Sequence, residues 1–204
     1  MDRVHTIAVA PIDDASGAAE GLDLAEALAA ELVQFPDVAV IRPEALVEAA
    51  RRSDVELRDD RSLRTVGRLA GADAVLVVSL REYDPFYPPR VGVAARLVFC
   101  RASATRGQDA IELSGFGQAV PASARTLSDT LSIERVYDGA HRETRHMACR
   151  YALGHDSDDD ALDGTERVLR LPDLYFRFVS NRLVRDIFAD YQARQNTAKK
   201  ENRA

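Results

Sequence analysis

The stretch Gly71-Ala72-Asp73-Ala74-Val75-Leu76-Val77-Val78-Ser79-Leu80, followed by Tyr83-Asp84-Pro85-Phe86-Tyr87-Pro88-Pro89-Arg90, decides the fold. Gly71 reads as a helix stop, because glycine adopts positive φ without a steric penalty. Ala74 to Leu80 is nearly all apolar, the composition of a strand covered on both faces, and it is expected at the centre of a sheet. The aromatic and proline residues that follow form a rigid turn into a second long strand. From Arg90 to Ala102 that strand alternates: Val91, Val93, Ala95, Leu97 and Phe99 share one face, and Arg90, Gly92, Ala94, Arg96, Val98 and Cys100 the other. Thr105 to Asp109 reads as a hairpin turn, and Ala110 to Phe116 as the returning partner strand.

Upstream, Val4 to Ala10 is a short β run with Ile7 and Val9 on one face, and Pro11 to Gly17 is a turn-rich loop. Helical spacing links Leu22, Ala25, Leu28, Ala29 and Leu32 between about Gly21 and Phe35, and Pro36-Asp37 ends that helix. Val38 to Ile41 is a second strand. Pro43 suits the first turn of a helix, where its missing N–H has no partner, and Leu46, Val47 and Ala50 face inward. Asp59 or Asp60 caps a third helix whose inward stripe is Leu63, Val66, Leu69 and Ala70. The order β-α-β-α-α-β-β-β implies an α/β fold: a mixed sheet with helices packed on it.

The remainder reads as helical. Ser132 caps a helix carrying Ile133, Val136, Tyr137, Ala140, Met147 and Tyr151, which Gly154 ends. His155 to Asp160 is an acidic, solvated loop. A last helix begins near Pro172 or Asp173 and buries Tyr175, Phe176, Val179, Leu183, Val184, Ile187 and Phe188. Gln195 to Ala204 is polar and is expected to be disordered. The division is therefore an α/β domain over residues 1–120, a helical extension packing on it over 121–194, and a tail over 195–204.

The 204 residues suffice for one domain with a sizeable core. A net charge of −6 argues against a nucleic-acid footprint. Lysine occurs only at Lys199 and Lys200; the other basic side chains apart from histidine are arginines, which together with the abundant alanine points to coding bias rather than phosphate binding. Cys100 and Cys149 match no metal or redox spacing and read as two buried free thiols. No stretch approaches the roughly 20 apolar residues of a membrane span. Met1 to His5 is followed by no apolar signal region, so the chain is either cytoplasmic or begins after a removed signal.

Catalytic signals are sparse. Asp13-Asp14 after the first strand has the look of the acidic pair of phosphate-receiver domains, but the central strand ends Val77-Val78-Ser79-Leu80 with no phosphoacceptor aspartate. Aspartates that shape a turn account for the pair. Gly115-Phe116-Gly117 lacks the third glycine of a dinucleotide fingerprint. His141 and His146 are one position off the i, i+4 spacing that aligns two metal ligands on a helix. The acidic loop at His155 lacks the glycine and distal glutamate of a calcium-binding EF-hand. No catalytic, metal or cofactor-binding residue is assigned, and the chain reads as not an enzyme.

Tyr83, Phe86, Tyr87, Pro88, Pro89 and Arg90 are the candidate partner-binding residues. Prolines lower the entropy cost of presenting a fixed surface, and Tyr and Phe are common interface anchors. The competing reading, which the sequence favours, is that the aromatics cover the open end of the core.

The runs Ile7-Ala8-Val9-Ala10-Pro11-Ile12, Gly21-Leu22-Asp23-Leu24-Ala25-Glu26-Ala27-Leu28, Val38-Ala39-Val40-Ile41 and Ala70-Gly71-Ala72-Asp73-Ala74-Val75-Leu76-Val77 resemble the bacterial cell-envelope α/β domain. This domain is shared by the curli-secretion lipoprotein CsgG, the penicillin-binding-protein activator LpoB and the amino-terminal domain of TolB. The resemblance covers about residues 4 to 118. It implies an envelope-associated, often lipid-anchored protein acting by assembly or partner binding, without catalysis or cofactor. The lipidated cysteine of such proteins is absent, and Arg96 in mid-strand would be costly facing lipid. The expected function is that of a non-catalytic envelope accessory or scaffold protein, periplasmic or attached to the outer membrane if a signal was removed. Its partners would be unidentified envelope proteins, with an N-terminal lipid tether and a homo-oligomer as further expectations. The alternatives are a subunit of an oligomeric secretion assembly, and a small-molecule or nucleotide-binding enzyme using the end of the sheet.

Overall fold

The computed structural model describes residues 4–14, 24–100, 130–155 and 161–201. Its strands are β1 (Thr6–Val9), β2 (Asp13–Asp14), β3 (Ala39–Ile41), β4 (Ala74–Asp84), β5 (Arg90–Phe99) and β6 (Thr130–Asp138). Its helices are α1 (Leu24–Val33), α2 (Pro43–Ser53), α3 (Asp60–Leu69), α4 (Arg142–His155), α5 (Ala161–Arg170) and α6 (Pro172–Glu201). The sheet runs β3-β1-β4-β5-β6, with β2 also paired to β4. β1 lies parallel to β3 and β4, and β5 lies antiparallel to both β4 and β6. The mixed α/β sheet and the central place of β4 are as the apolar run over Ala74–Leu80 implies.

Alternation divides the core in two. On one face Ile7, Val9, Leu76, Val78, Leu80, Val93 and Leu97 pack with side chains of α1, α4, α5 and α6. On the other, Ala8, Ala10, Val75, Val98 and Cys100 meet Leu46 and Ala50 of α2 and Leu63 and Val66 of α3. Helices α2 and α3 thus cover only part of their side of the sheet. Among the described residues, Ser132, Glu134 and Val136 of β6 remain exposed there.

Local chemistry sets the helix ends. Asp59 caps α3 by accepting from Ser62 N at 2.7 Å, and Ser62 Oγ accepts from Asp59 N in return. Pro43 opens α2, and Asp54 closes it in the left-handed conformation. Gly71, with φ +82°, ends α3 as expected. Asp73 opens the sheet, its carboxylate accepting from the backbone N–H groups of His5 and Thr6.

Several expectations are corrected. Thr130–Asp138 is a strand, not the helix expected from Ser132: Leu131, Ile133 and Tyr137 are buried, and helix begins only at Arg142. On its side away from β4, β5 is hydrogen-bonded to β6; the hairpin and strand expected over 105–116 lie outside the described residues. Helix α5 has no counterpart in the sequence reading, and α6 runs on through 195–201, where disorder was expected. Asp13-Asp14, expected in a loop, pairs with Ser79 and Leu80. Cys100 is buried as expected, and burial pushes its thiol up to about 11, but Cys149 is only half-buried; both are free.

Two inward stripes also shift. Val47 and Leu69, expected inside, are exposed. On α3 the inward position after Val66 is Gly67. A Cβ there would lie 2.6 Å from Val75 Cγ2 and closer still to Cys100 Sγ. The helix sits so near the sheet that only glycine fits, and this turns Leu69 to solvent.

Candidate functional site

The turn from Asp84 to Arg90 closes the β4–β5 hairpin at one end of the sheet. A register shift between Leu80 and Glu82 re-aims the end of β4, after which Tyr83 pairs with Val91 and Asp84 with Arg90. Asp84 Oδ1 accepts from Phe86 N at 3.0 Å, a side-chain mimic of a backbone turn. The Tyr87–Pro88 peptide is cis. From below, Pro89 is buried and its carbonyl accepts from Gly139 N at 2.7 Å. A Cβ on Gly139 would lie 3.0 Å from that carbonyl oxygen, so the β6–α4 link can approach only as glycine.

Tyr87 ties the turn to the helices. Its hydroxyl lies 2.9 Å from Oε2 and 3.2 Å from Oε1 of Glu166 on α5. Arg145 of α4 donates to Glu166 Oε1 at 2.7 Å and to the Tyr87 hydroxyl at 3.2 Å. Arg170 donates to Glu166 Oε2 at 3.3 Å, and its guanidinium stands 5.1 Å from the centre of the Tyr87 ring. The Tyr87 hydroxyl, then Arg145 and Arg170, hold the Glu166 carboxyl below the ordinary glutamate range. Both carboxylate oxygens thus have donors already, which makes Glu166 a brace rather than a poised acid or base.

The six residues singled out in the sequence divide among three roles. Tyr83 belongs to the core: its ring lies 4.9 Å from that of Phe176, and burial pushes its hydroxyl upward. Pro89 is buried. Arg90 pairs with Glu82 at 3.5 Å on the opposite side of the sheet from Tyr83. Phe86, Tyr87 and Pro88 are left at the surface, and Phe86 is 80 % exposed. Leu171, next to Arg170, is exposed as well. Arg145, Glu166 and Arg170 were missed by the sequence reading.

The other candidate groups do not converge. His141 precedes α4, with Nε2 3.6 Å from Asp138, whereas His146 lies within the helix. The side chains of Asp13, Asp14 and His155 lie outside the described residues. Arg96 faces α3 and pairs with Asp60 at 2.8 Å, and Thr130 donates to the other Asp60 oxygen at 3.0 Å. Among the described residues there is no group of three or more potential metal ligands, and no helix is long and apolar enough to cross a membrane.

No protein-family model and no curated protein matches the chain. It is similar to a few solved structures. One is the lipoprotein GNA1162 from Neisseria meningitidis, 24 % identical with a TM-score of 0.37, over 48 % of this chain and 70 % of that one. A second is a PelC dodecamer from Paraburkholderia phytofirmans, 18 % identical with a TM-score of 0.33, over 49 % of this chain and 64 % of that one. A third is the hypothetical protein CT253 from Chlamydia trachomatis, 14 % identical with a TM-score of 0.42, over 93 % of this chain and 96 % of that one.

Proposed function

We propose that this chain is a non-catalytic accessory protein of the cell envelope and that it acts through protein–protein contact at the Asp84–Arg90 turn. The observation that carries the reading is Phe86. A large apolar side chain stands 80 % exposed on a turn held by Asp84, Gly139, Glu166, Arg145 and Arg170. Such a turn loses little conformational freedom on docking. An aromatic anchor of this kind fits the centre of an interface, with Tyr87, Pro88 and the arginines at its rim. Core cover, the competing role of these aromatics, accounts for Tyr83 but not for Phe86. The envelope setting rests on the resemblance of the β1, α1, β3 and β4 runs.

The test is site-specific photo-crosslinking in a bacterial host, with a photoreactive residue at Phe86 and, as a control, at Leu153, which is also exposed but lies on α4. A discrete adduct from position 86 alone supports the reading, and mass spectrometry of that adduct identifies the partner. A second copy of this chain in the adduct would favour the oligomeric assembly instead. Identical adduct patterns from both positions would refute the proposed contact.

A further inference from the structure

The sheet has two edges among the described residues, β3 with three residues and β6 with nine. β6 pairs with β5 without a register shift, and among the described residues no strand pairs with its other side. An edge strand turns alternate N–H and C=O groups outward, where they can bond a further strand. β6 contains no proline to interrupt that row. We propose that this edge accepts an extended acidic segment of a partner protein as an added strand, a contact separate from the Phe86 turn.

The side chains along the edge argue for the acidic character. Arg135 points from β6 toward α6, where its guanidinium lies 3.6 Å from Asp186. Arg182 donates to the same carboxylate at 3.2 Å, and so does the Tyr137 hydroxyl. One carboxylate thus serves two guanidiniums, and Arg182 Nε has no acceptor among the described residues. Further along α6, Asp190 and Arg194 balance in charge, and Arg194 reaches the Thr130 carbonyl at 3.4 Å. The open edge therefore carries an excess of positive charge on its α6 side. A strand laid beside β6 sets one side chain directly opposite Arg135. An inward charge at an edge is one way in which sheets reject added strands. Arg135 rejects apolar and cationic neighbours, whereas an aspartate or glutamate opposite it completes a cross-strand pair. On the other face of β6, Val136 is 52 % exposed and offers contact to an apolar neighbour. The segment that fits alternates acidic and apolar side chains.

The test titrates the full chain with an end-capped nine-residue peptide that alternates valine and glutamate, and follows the β6 amides by NMR. Its counterpart with lysine in place of glutamate is the control. The glutamate peptide should give saturable shifts over Thr130–Asp138 and bind about tenfold tighter than the lysine peptide. Arg135→Gln should narrow that preference, and Arg51→Ala, on the exposed surface of α2, should leave it unchanged. Two further peptides, N-methylated at the valines or at the glutamates, test the backbone bonds without altering the protein. Only one set of N–H groups points at β6, so one peptide should lose at least tenfold in affinity and the other little. Shifts that stay linear, equal affinity for the glutamate and lysine peptides, or equal effects of the two methylation patterns would overturn the assignment. So would outward β6 amides already protected from exchange in a free chain that takes up no peptide, since a segment of this chain would then hold the edge.

Discussion

The Tyr87 hydroxyl lies 2.9 Å from Glu166 Oε2, a contact that joins the β4–β5 turn to α5 across 79 positions of sequence. It explains how a turn with an exposed phenylalanine at its tip stays fixed. Tyr87→Phe should leave global stability to urea nearly unchanged but raise amide hydrogen exchange across Asp84–Arg90. Phe86→Ala should change neither stability nor exchange appreciably, since truncating an exposed side chain usually changes stability by no more than about 0.5 kcal/mol. Equal exchange in Tyr87→Phe and the parent chain would mean the brace does not hold the turn.

The brace also predicts a pH response with a definite sign. The Glu166 carboxyl is held below its unfolded value, so the bonded carboxylate favours the native state above the ordinary glutamate range. That advantage is lost as pH falls through the depressed native value. Opening of the turn, read as amide exchange relative to the intrinsic exchange rate at each pH, should therefore be flat from neutral to mildly acidic pH and rise only below the ordinary glutamate range. In Glu166→Gln the acid-dependent rise should vanish, and parent-like acid sensitivity in that variant would assign the titration to another group.

A second polar contact lies inside the core. Glu31 of α1 is only 2 % exposed, and its two oxygens accept from Tyr151 of α4 and Asn181 of α6, each at 2.9 Å. The Asn181 carbonyl in turn accepts from Arg185. Burial and the neighbouring Glu31 charge push the Tyr151 hydroxyl upward, so it stays a donor throughout the working range. Tyr151→Phe removes one donor and leaves a buried carboxylate oxygen unmatched. It should cost about 1–3 kcal/mol in urea denaturation, far more than the exposed Tyr87→Phe. Equal effects of the two substitutions would contradict the burial contrast.

The β4 strand was legible because an unbroken apolar run between a helix stop and a proline turn has few other readings. The inward face of α6 was legible because its apolar side chains repeat with the helical period. β6 was not, and the reason is Arg135. It interrupts the inward series Leu131, Ile133, Tyr137, so alternation fails on inspection, while Ser132 imitates a helix cap. The interruption is tolerated because Asp186 of α6 lies 3.6 Å from the Arg135 guanidinium and also accepts from the Tyr137 hydroxyl. α5 was hidden because its buried apolar residues are few, chiefly Val168 and Leu169. With α5 unseen, Glu166 and Arg170 could not be placed beside Tyr87. The display of Phe86 could be suspected from sequence, whereas its support depends on contacts between distant segments that leave no local pattern.

Gly67 gives the sharpest packing test. Its place on α3 faces Cys100 and Val75, and an added Cβ would overlap both side chains. In an unpacked helix, Gly→Ala would stabilise by about 1 kcal/mol through propensity alone. Here overpacking, typically about 1–3 kcal/mol, should exceed that gain and make Gly67→Ala destabilising. Cys100→Ala removes the nearer obstacle, so the double variant should recover part of the loss relative to the sum of the singles. Urea denaturation of the parent, both singles and the double closes the cycle. A stabilised Gly67→Ala, or strict additivity, would show that α3 can lift away from the sheet and that its close approach is not set by this glycine.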